Sequence, residues 1–317
     1  MNQTLFGFGY TKREAQFLEL AALLSGYFVR RQFNDYIGRE CGAVGQRFIE
    51  RATTLGDVKV LPGLGGRTLY HVAASRVYVS CGDPENRNRR DHRPESIRRR
   101  LMALDYALSH PDANWLLTEA KKVEYFSALG ISQADLPSAV FARTTTRFFV
   151  DRQPLFVGPD GAPSFTFIDQ GLKTFTEWEL FLRHHRSLLQ KINRASVTFA
   201  SCQEFRFERA HTLLRQMVGG EKSEGGIDEE RLTRFFRLQK LFDEGRYDQF
   251  DQARLDELRE SKRVFAGAAF DSAYQVWKAT GNLGLSGHSG PRVTFFTQLL
   301  AHNYGWLSPI RILERRG

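Results

Sequence analysis

With 317 residues, 42% hydrophobic and 13% aromatic, the chain carries apolar material for more than one core, which excludes wholesale disorder. Its net charge of +9 is unevenly spread: the first 100 residues hold 17 Lys and Arg against 10 Asp and Glu, and the other 217 hold 28 against 26. Positive charge concentrated in one third of a chain is the footprint of a polyanion partner, because each phosphate neutralised releases counterions.

TKREAQFLELAALLS, residues 11–25, reads as a helix, with Thr11 and Glu14 as a capping box and Phe17, Leu20, Ala21 and Leu24 at helical spacing. Tyr27 to Val29 is a short extended piece, and RRQFNDYIG makes a second helix ending at Gly38. Residues 42–55 form a third, burying Val44, Phe48, Ile49, Ala52 and Leu55 and leaving Gly45, Gln46, Arg47, Glu50 and Arg51 off the apolar stripe. Val58–Leu61 and Thr68–Val72 are β-like and flank the tip Gly63-Leu64-Gly65-Gly66-Arg67, whose glycines permit positive φ and close approach to a backbone. Three helices and then a hairpin is the order of a winged helix-turn-helix domain, expected over residues 1–82. Arg and Gln are the usual readers of guanine and adenine edges in the major groove. Gln46, Arg47 and Arg51 are therefore expected on bases and phosphates, Lys59 and Arg67 on the DNA from the wing, and Arg30 and Arg31 on the backbone.

Residues 83–93 read as a basic connector, either a solvated linker or a phosphate-tracking arm, and a helix begins at Pro94. A short strand around Trp115-Leu116-Leu117 and the helix AKKVEYFSALG follow. RFFVDRQPLFV and SFTFIDQG, on either side of Gly158-Pro159-Asp160-Gly161, look like a β-hairpin. A long helix over 174–191, the strand ASVTFASC and the helix QEFRFERAHTLLRQMV complete a three-layer α/β domain over 94–218. GGEKSEGG is a flexible break, and residues 219–317 read as a mainly helical extension with helices near 228–244, 251–265 and 269–280. The fold class expected is thus α+β and multidomain.

Cys41, Cys81 and Cys202 are scattered and odd in number, with neither metal-ligand spacing nor a disulfide framework, as in a reducing cytoplasm. No basic leader with a long apolar run and no stretch of 18 apolar residues is visible, so neither secretion nor a membrane partner is expected. His184 and His185 are adjacent and point about 100° apart, so with His211 they read as polar surface histidines. The glycine clusters lack the strand–turn–helix context and Lys of a nucleotide loop, and GLSGHSGP lacks a nucleophile elbow.

HRPESIRRRLMALDYAL, the Trp115-Leu116 strand, PLFV followed by FTFIDQG and an Arg- and Leu-rich helix, all behind a winged helix, resemble the replication-relaxation family. The resemblance spans roughly residues 10–217. It implies a winged helix joined to a restriction-endonuclease-like core in a protein of plasmids or integrative elements. In that core the strand equivalent to SFTFIDQG carries a Glu two residues before the Asp; Phe167 stands there, while Asp169 and Gly171 match. Such a nuclease holds a divalent metal between carboxylates with a nearby Lys, roles open to Asp151, Asp169 and Lys173. Losing a carboxylate to Phe removes a hard oxygen ligand, so a non-catalytic domain with no metal or cofactor is expected. The function expected is sequence-specific binding of double-stranded DNA by a homodimer, as a transcriptional or replication/mobilisation regulator. The alternatives are a metal-dependent nuclease or relaxase accessory, and a protein-interaction adaptor whose basic patches are incidental.

Overall fold

A computed structural model describes residues 5–39, 42–62, 67–141, 144–172, 174–218, 229–265, 274–275, 277–278 and 292–307. The wing tip 63–66, Lys173, the loop 281–291 and most of the helix expected at 269–280 lie outside the described residues. The fold is mixed α and β. It divides into two compact units, Met1–Val218 with Val293–Gly317, and Gly219–Arg292.

In the first unit α1 (Lys12–Leu20) starts at the expected box: the Thr11 side chain accepts from the Glu14 N–H and Glu14 accepts from the Thr11 N–H. It runs into a π-helical turn, Ala21–Ser25, that stops at Gly26 with φ +79°. A glycine is needed here, since a Cβ would lie 2.5 Å from the Asn88 carbonyl oxygen. β1 (Tyr27–Phe28), α2 (Arg30–Tyr36), α3 (Ala43–Thr54), β2 (Val58–Pro62) and β3 (Thr68–Val72) follow. The strands form an antiparallel sheet in the order β1-β3-β2, with Lys59 opposite His71 and Leu61 opposite Leu69. Phe17 is fully buried and packs edge-on against Phe28, Phe33 and Phe48, so a single aromatic stack joins all three helices to the sheet. Gly45 turns inward, against the outward placement expected: it is buried, and a Cβ there would meet Asn34 Oδ1 at 2.4 Å. A further helix, α4 (Ser75–Ser80), is anchored by the buried Asp57, which accepts from Arg76 at 2.6 Å and from the Tyr10 hydroxyl at 2.8 Å.

The segment read as a connector is largely exposed but is pinned to the first unit at its one buried residue. Asn88 is buried, and its Nδ2 donates to the carbonyls of Ala22 at 2.9 Å and Leu23 at 2.8 Å. The chain then enters α5 (Pro94–Leu108), with Pro94 in the first turn where its missing N–H costs nothing. A five-stranded sheet, ordered β10-β9-β8-β7-β4, is built from β4 (Asn114–Trp115), β7 (Leu155–Val157), β8 (Pro163–Asp169), β9 (Arg194–Ser201) and β10 (Arg292–Leu299). β4, β7 and β8 run as an antiparallel meander, and β9 is parallel to β8 through α7 (Thr176–Lys191).

Side-chain alternation on β8 sorts the two faces. Ile168 joins Leu101, Met102 and Tyr106 of α5, whereas Phe165 and Phe167 join Trp178, Phe181 and Leu189 of α7 and Leu213 of α8 (Phe207–Val218). The sheet is thus covered on both faces, as its fully buried central strand demands.

Two details depart from expectation. RFFVDRQPLFV is not one strand: β6 (Thr145–Phe148) pairs with β5 (Ser138–Phe141), and the chain turns before β7 through Phe149 at φ 50° and Arg152 at φ 54°. α6 (Glu119–Ala128) precedes that hairpin. β10, expected within the helical extension, is a strand at the edge of the sheet beside β9. Sheet neighbours remote in sequence are set by the side chains they find, not by local propensity.

The second unit contains α9 (Glu229–Asp243) and α10 (Gln252–Val264) around a core of Leu232, Phe235, Phe236, Leu238 and Leu258. The Asp251 side chain caps α10 by accepting from the Arg254 N–H at 2.8 Å.

Candidate nucleic-acid interface

α3 presents Gln46, Arg47 and Glu50 to solvent because its buried positions, Gly45, Phe48, Ile49 and Ala52, occupy the opposite side. Arg30, exposed at the start of α2, donates to Gln46 Oε1 at 3.4 Å, and Gln46 Nε2 donates to Glu50 Oε1 at 2.8 Å. Arg47 bonds only weakly to its own helix, Nε to the Ala43 carbonyl at 3.4 Å. These four side chains form a continuous polar row with donors and acceptors on long, rearrangeable stems. On the hairpin, Lys59 of β2 is exposed, and Arg67 is exposed with its guanidinium 5.8 Å from the centre of the Trp306 ring.

Two of the expected contacts are otherwise engaged. Arg51 donates to Glu14 Oε2 at 2.6 Å and to the Gly9 carbonyl at 3.2 Å, fastening α3 to α1. Arg31 donates to Asp105 Oδ1 at 2.7 Å and to the Tyr304 hydroxyl at 2.6 Å, and it also pairs with Asp35. Tyr304 in turn donates to Asp105 Oδ2 at 2.7 Å, so Arg31 belongs to a network joining α2 to α5 and the segment after β10. Breaking such a partly buried pair leaves an uncompensated charge.

Of the carboxylates considered for metal binding, Asp169 is committed within the fold. Asp169 accepts from Arg206 Nε at 2.7 Å and Nη2 at 3.1 Å and from the Ser201 hydroxyl at 2.7 Å, a bidentate pair within the fold. Phe167 is buried among Phe199, Trp178 and Phe181. Asp151 sits 3.6 Å from His185 Nδ1, and its Oδ2 has no hydrogen-bond donor. Among the described residues no three His, Cys, Asp or Glu converge as ligands for a metal ion. His185 is buried, stacked on Phe181 with its Nδ1 2.9 Å from the Phe181 carbonyl, so the expectation of a surface histidine fails there. His184 is exposed as expected, and His211 stacks on Phe295. A period-3.6 count would have placed His185 inward, in phase with Phe181, Leu188 and Leu189.

A second concentration of cations was not foreseen. Arg100 and Arg152 both donate to Asn88 Oδ1, the latter at 2.7 Å, and Arg100 also donates to the Ser25 carbonyl at 2.8 Å. Burial and then Arg152 lower the Arg100 pKa to about 10, and burial and then Arg87 lower that of Arg152. Nothing local marked these residues: they lie 52 positions apart and meet only in the fold.

Among the described residues no helix is long and apolar enough to cross a membrane. The chain matches no protein-family model, no curated protein and no solved structure.

Proposed function

We propose that the chain is a sequence-specific double-stranded DNA-binding protein whose residues 1–82 form a winged helix-turn-helix, with α3 as recognition helix and β2–β3 as wing. The observation that carries this reading is the exposed row Arg30, Gln46, Arg47 and Glu50 on α2 and α3, directly ahead of an antiparallel hairpin bearing Lys59 and Arg67. A helix of that exposure supplies the bidentate donors and acceptors that base edges require. Charge supports it, since the first unit holds 33 Lys and Arg against 23 Asp and Glu, and Gly219–Arg292 holds 12 against 13. The resemblance to the replication-relaxation family and the endonuclease-like order α5-β4-β7-β8-α7-β9 favour a transcriptional or replication/mobilisation regulator of a plasmid or integrative element. In this reading the α/β part is a scaffold, because Asp169 neutralises Arg206 and Phe167 fills the core where a ligand would be needed. The protein acts as a homodimer in the cytoplasm, two recognition helices addressing two half-sites.

Fluorescence anisotropy with DNA from upstream of its own gene and with a scrambled duplex tests the reading. Gln46→Ala and Arg47→Ala are expected to lose about 1–3 kcal/mol of discrimination each. Unaltered preference in both variants removes α3 as the reader. Strand cleavage that appears only with Mg²⁺ would replace the regulator with a nuclease.

A further inference from the structure

A cleft of about 770 Å³ opens in the first unit between the π-helical turn, the segment Asp83–Arg87, α6 and the loop Phe149–Leu155. Its volume falls within the range of small-molecule sites. Four cations line it: Arg87, Lys122, Arg147 and Arg152.

Arg147 is paired with Glu119, whereas Arg87, Lys122 and Arg152 make no ion pair within 4 Å among the described residues. Arg152, whose guanidinium is open to the cleft, has one polar partner, the neutral Asn88 Oδ1, which it shares with Arg100. Among the described residues no carboxylate lies within ion-pair reach of Arg100 or Arg152. Lys122 is buried, and its Nζ spends one donor on the Gln153 carbonyl at 3.3 Å. Arg87 lies over the Phe141 ring at 5.1 Å.

Carboxylates share the wall, but two of them are occupied: Glu119 accepts from the Phe148 N–H at 2.9 Å and faces Arg147 at 3.6 Å, and Asp83 accepts from Asn86 at 2.9 Å. Glu85 and Glu124 are exposed. The backbone that delivers Arg152 is itself unusual, since Arg152 and Phe149 both hold left-handed φ without being glycine. Arg87 and Arg152 crowd one another with Asp83 and Glu119 nearby but not in ion-pair contact with Arg152, an arrangement that a bound anion relieves. The remaining wall, including Leu24, Leu117 and Phe148, is apolar and suits a flat organic body.

We propose that this cleft binds a small phosphorylated molecule of nucleotide size, its phosphates on Arg152 and Arg87 and its apolar body against Leu24 and Phe148. The site stands apart from the DNA-binding reading, because the ligand is measured without DNA.

The test is isothermal titration of the full chain at low salt with two probes, inorganic pyrophosphate and ATP. Saturable sub-millimolar binding is expected, tighter for ATP where the organic body contributes. Arg87→Ala and Arg152→Gln are each expected to weaken it about tenfold, the range of one charge-assisted hydrogen bond. Arg87 is exposed, so its variant keeps the test meaningful if loss of Arg152 lowers the melting temperature. Arg47→Ala, which does not line the cleft, is expected to leave binding unchanged. Three results would each overturn the site: no saturable binding of either probe, equal weakening by Arg47→Ala, or displacement of ATP by a short duplex.

Discussion

Three histidines in the first unit are held neutral by what surrounds them. His71 is fully buried, stacks on Tyr27 at 4.3 Å and directs Nε2 at the Asn88 carbonyl, and burial is the largest cause lowering its pKa. His92 is pushed down to about 4 by burial and by Arg100, and His185 is pushed down by burial among aromatic rings. A histidine whose pKa is lower in the folded state is protonated first in the unfolded chain, so acid favours unfolding. Stability is expected to be complete at neutral pH and to fall as pH drops below about 6.5, each group contributing at most about 1.4 kcal/mol per pH unit. For His92 the fall continues down to about 4. Urea unfolding at neutral pH and near pH 5, with His71→Asn/His92→Asn as the comparison, measures this. A flat profile for the unmodified chain would show that these imidazoles are as free to protonate folded as unfolded.

Elements in this fold meet through close approaches that only particular residues allow. Where the π-helical turn ends, the Asn88 carbonyl oxygen lies 2.5 Å from where a Gly26 Cβ would stand, and Gly26 sits at φ +79°. Gly26→Ala therefore carries both a left-handed backbone and a clash, and is expected to cost about 2 kcal/mol or more. Gly130→Ala, at φ +76° with open space around it, carries the backbone strain alone and is expected to cost less. Equal losses of melting temperature would show that the Asn88 contact does not constrain the turn. The same elements divide what was legible from what was not. The capping box of α1 and the start of α5 at Pro94 are local signals that appear where the spacing puts them, and the apolar face of α3 holds at Phe48, Ile49 and Ala52, although Gly45 turns inward and Leu55 is exposed. The inward role of Asn88 and the place of β10 in the sheet depend on contacts with distant residues and left no local trace, whereas the β5–β6 hairpin joins near neighbours and is a local feature that the strand reading of RFFVDRQPLFV passed over. So too with the candidate interface: exposure of Gln46 and Arg47 follows from periodicity, whereas the partners that engage Arg31 and Arg51 lie 74 and 37 residues away.

Charge is partitioned between the two units of the molecule as well as along its sequence. The first unit carries the entire excess, and Gly219–Arg292 holds 12 Lys and Arg against 13 Asp and Glu. Binding driven by phosphate neutralisation should therefore draw its salt dependence from the first unit alone. Lys59 on the hairpin is exposed and without a carboxylate partner among the described residues, so its neutralisation removes one phosphate contact directly. Lys240 on α9 lies 3.9 Å from Glu244 in the near-neutral unit, so its loss removes charge that a neighbour already screens. The slope of log affinity against log salt is expected to shrink by about one for Lys59→Ala and to stay unchanged for Lys240→Ala, with the preference for the specific sequence intact in both. Anisotropy titrations across a salt series read both slopes. An equal change in the two variants would mean that net charge of the whole molecule, and not the placement of the hairpin, governs the association; a slope of zero in the unmodified chain would favour an interaction adaptor over a DNA-binding protein.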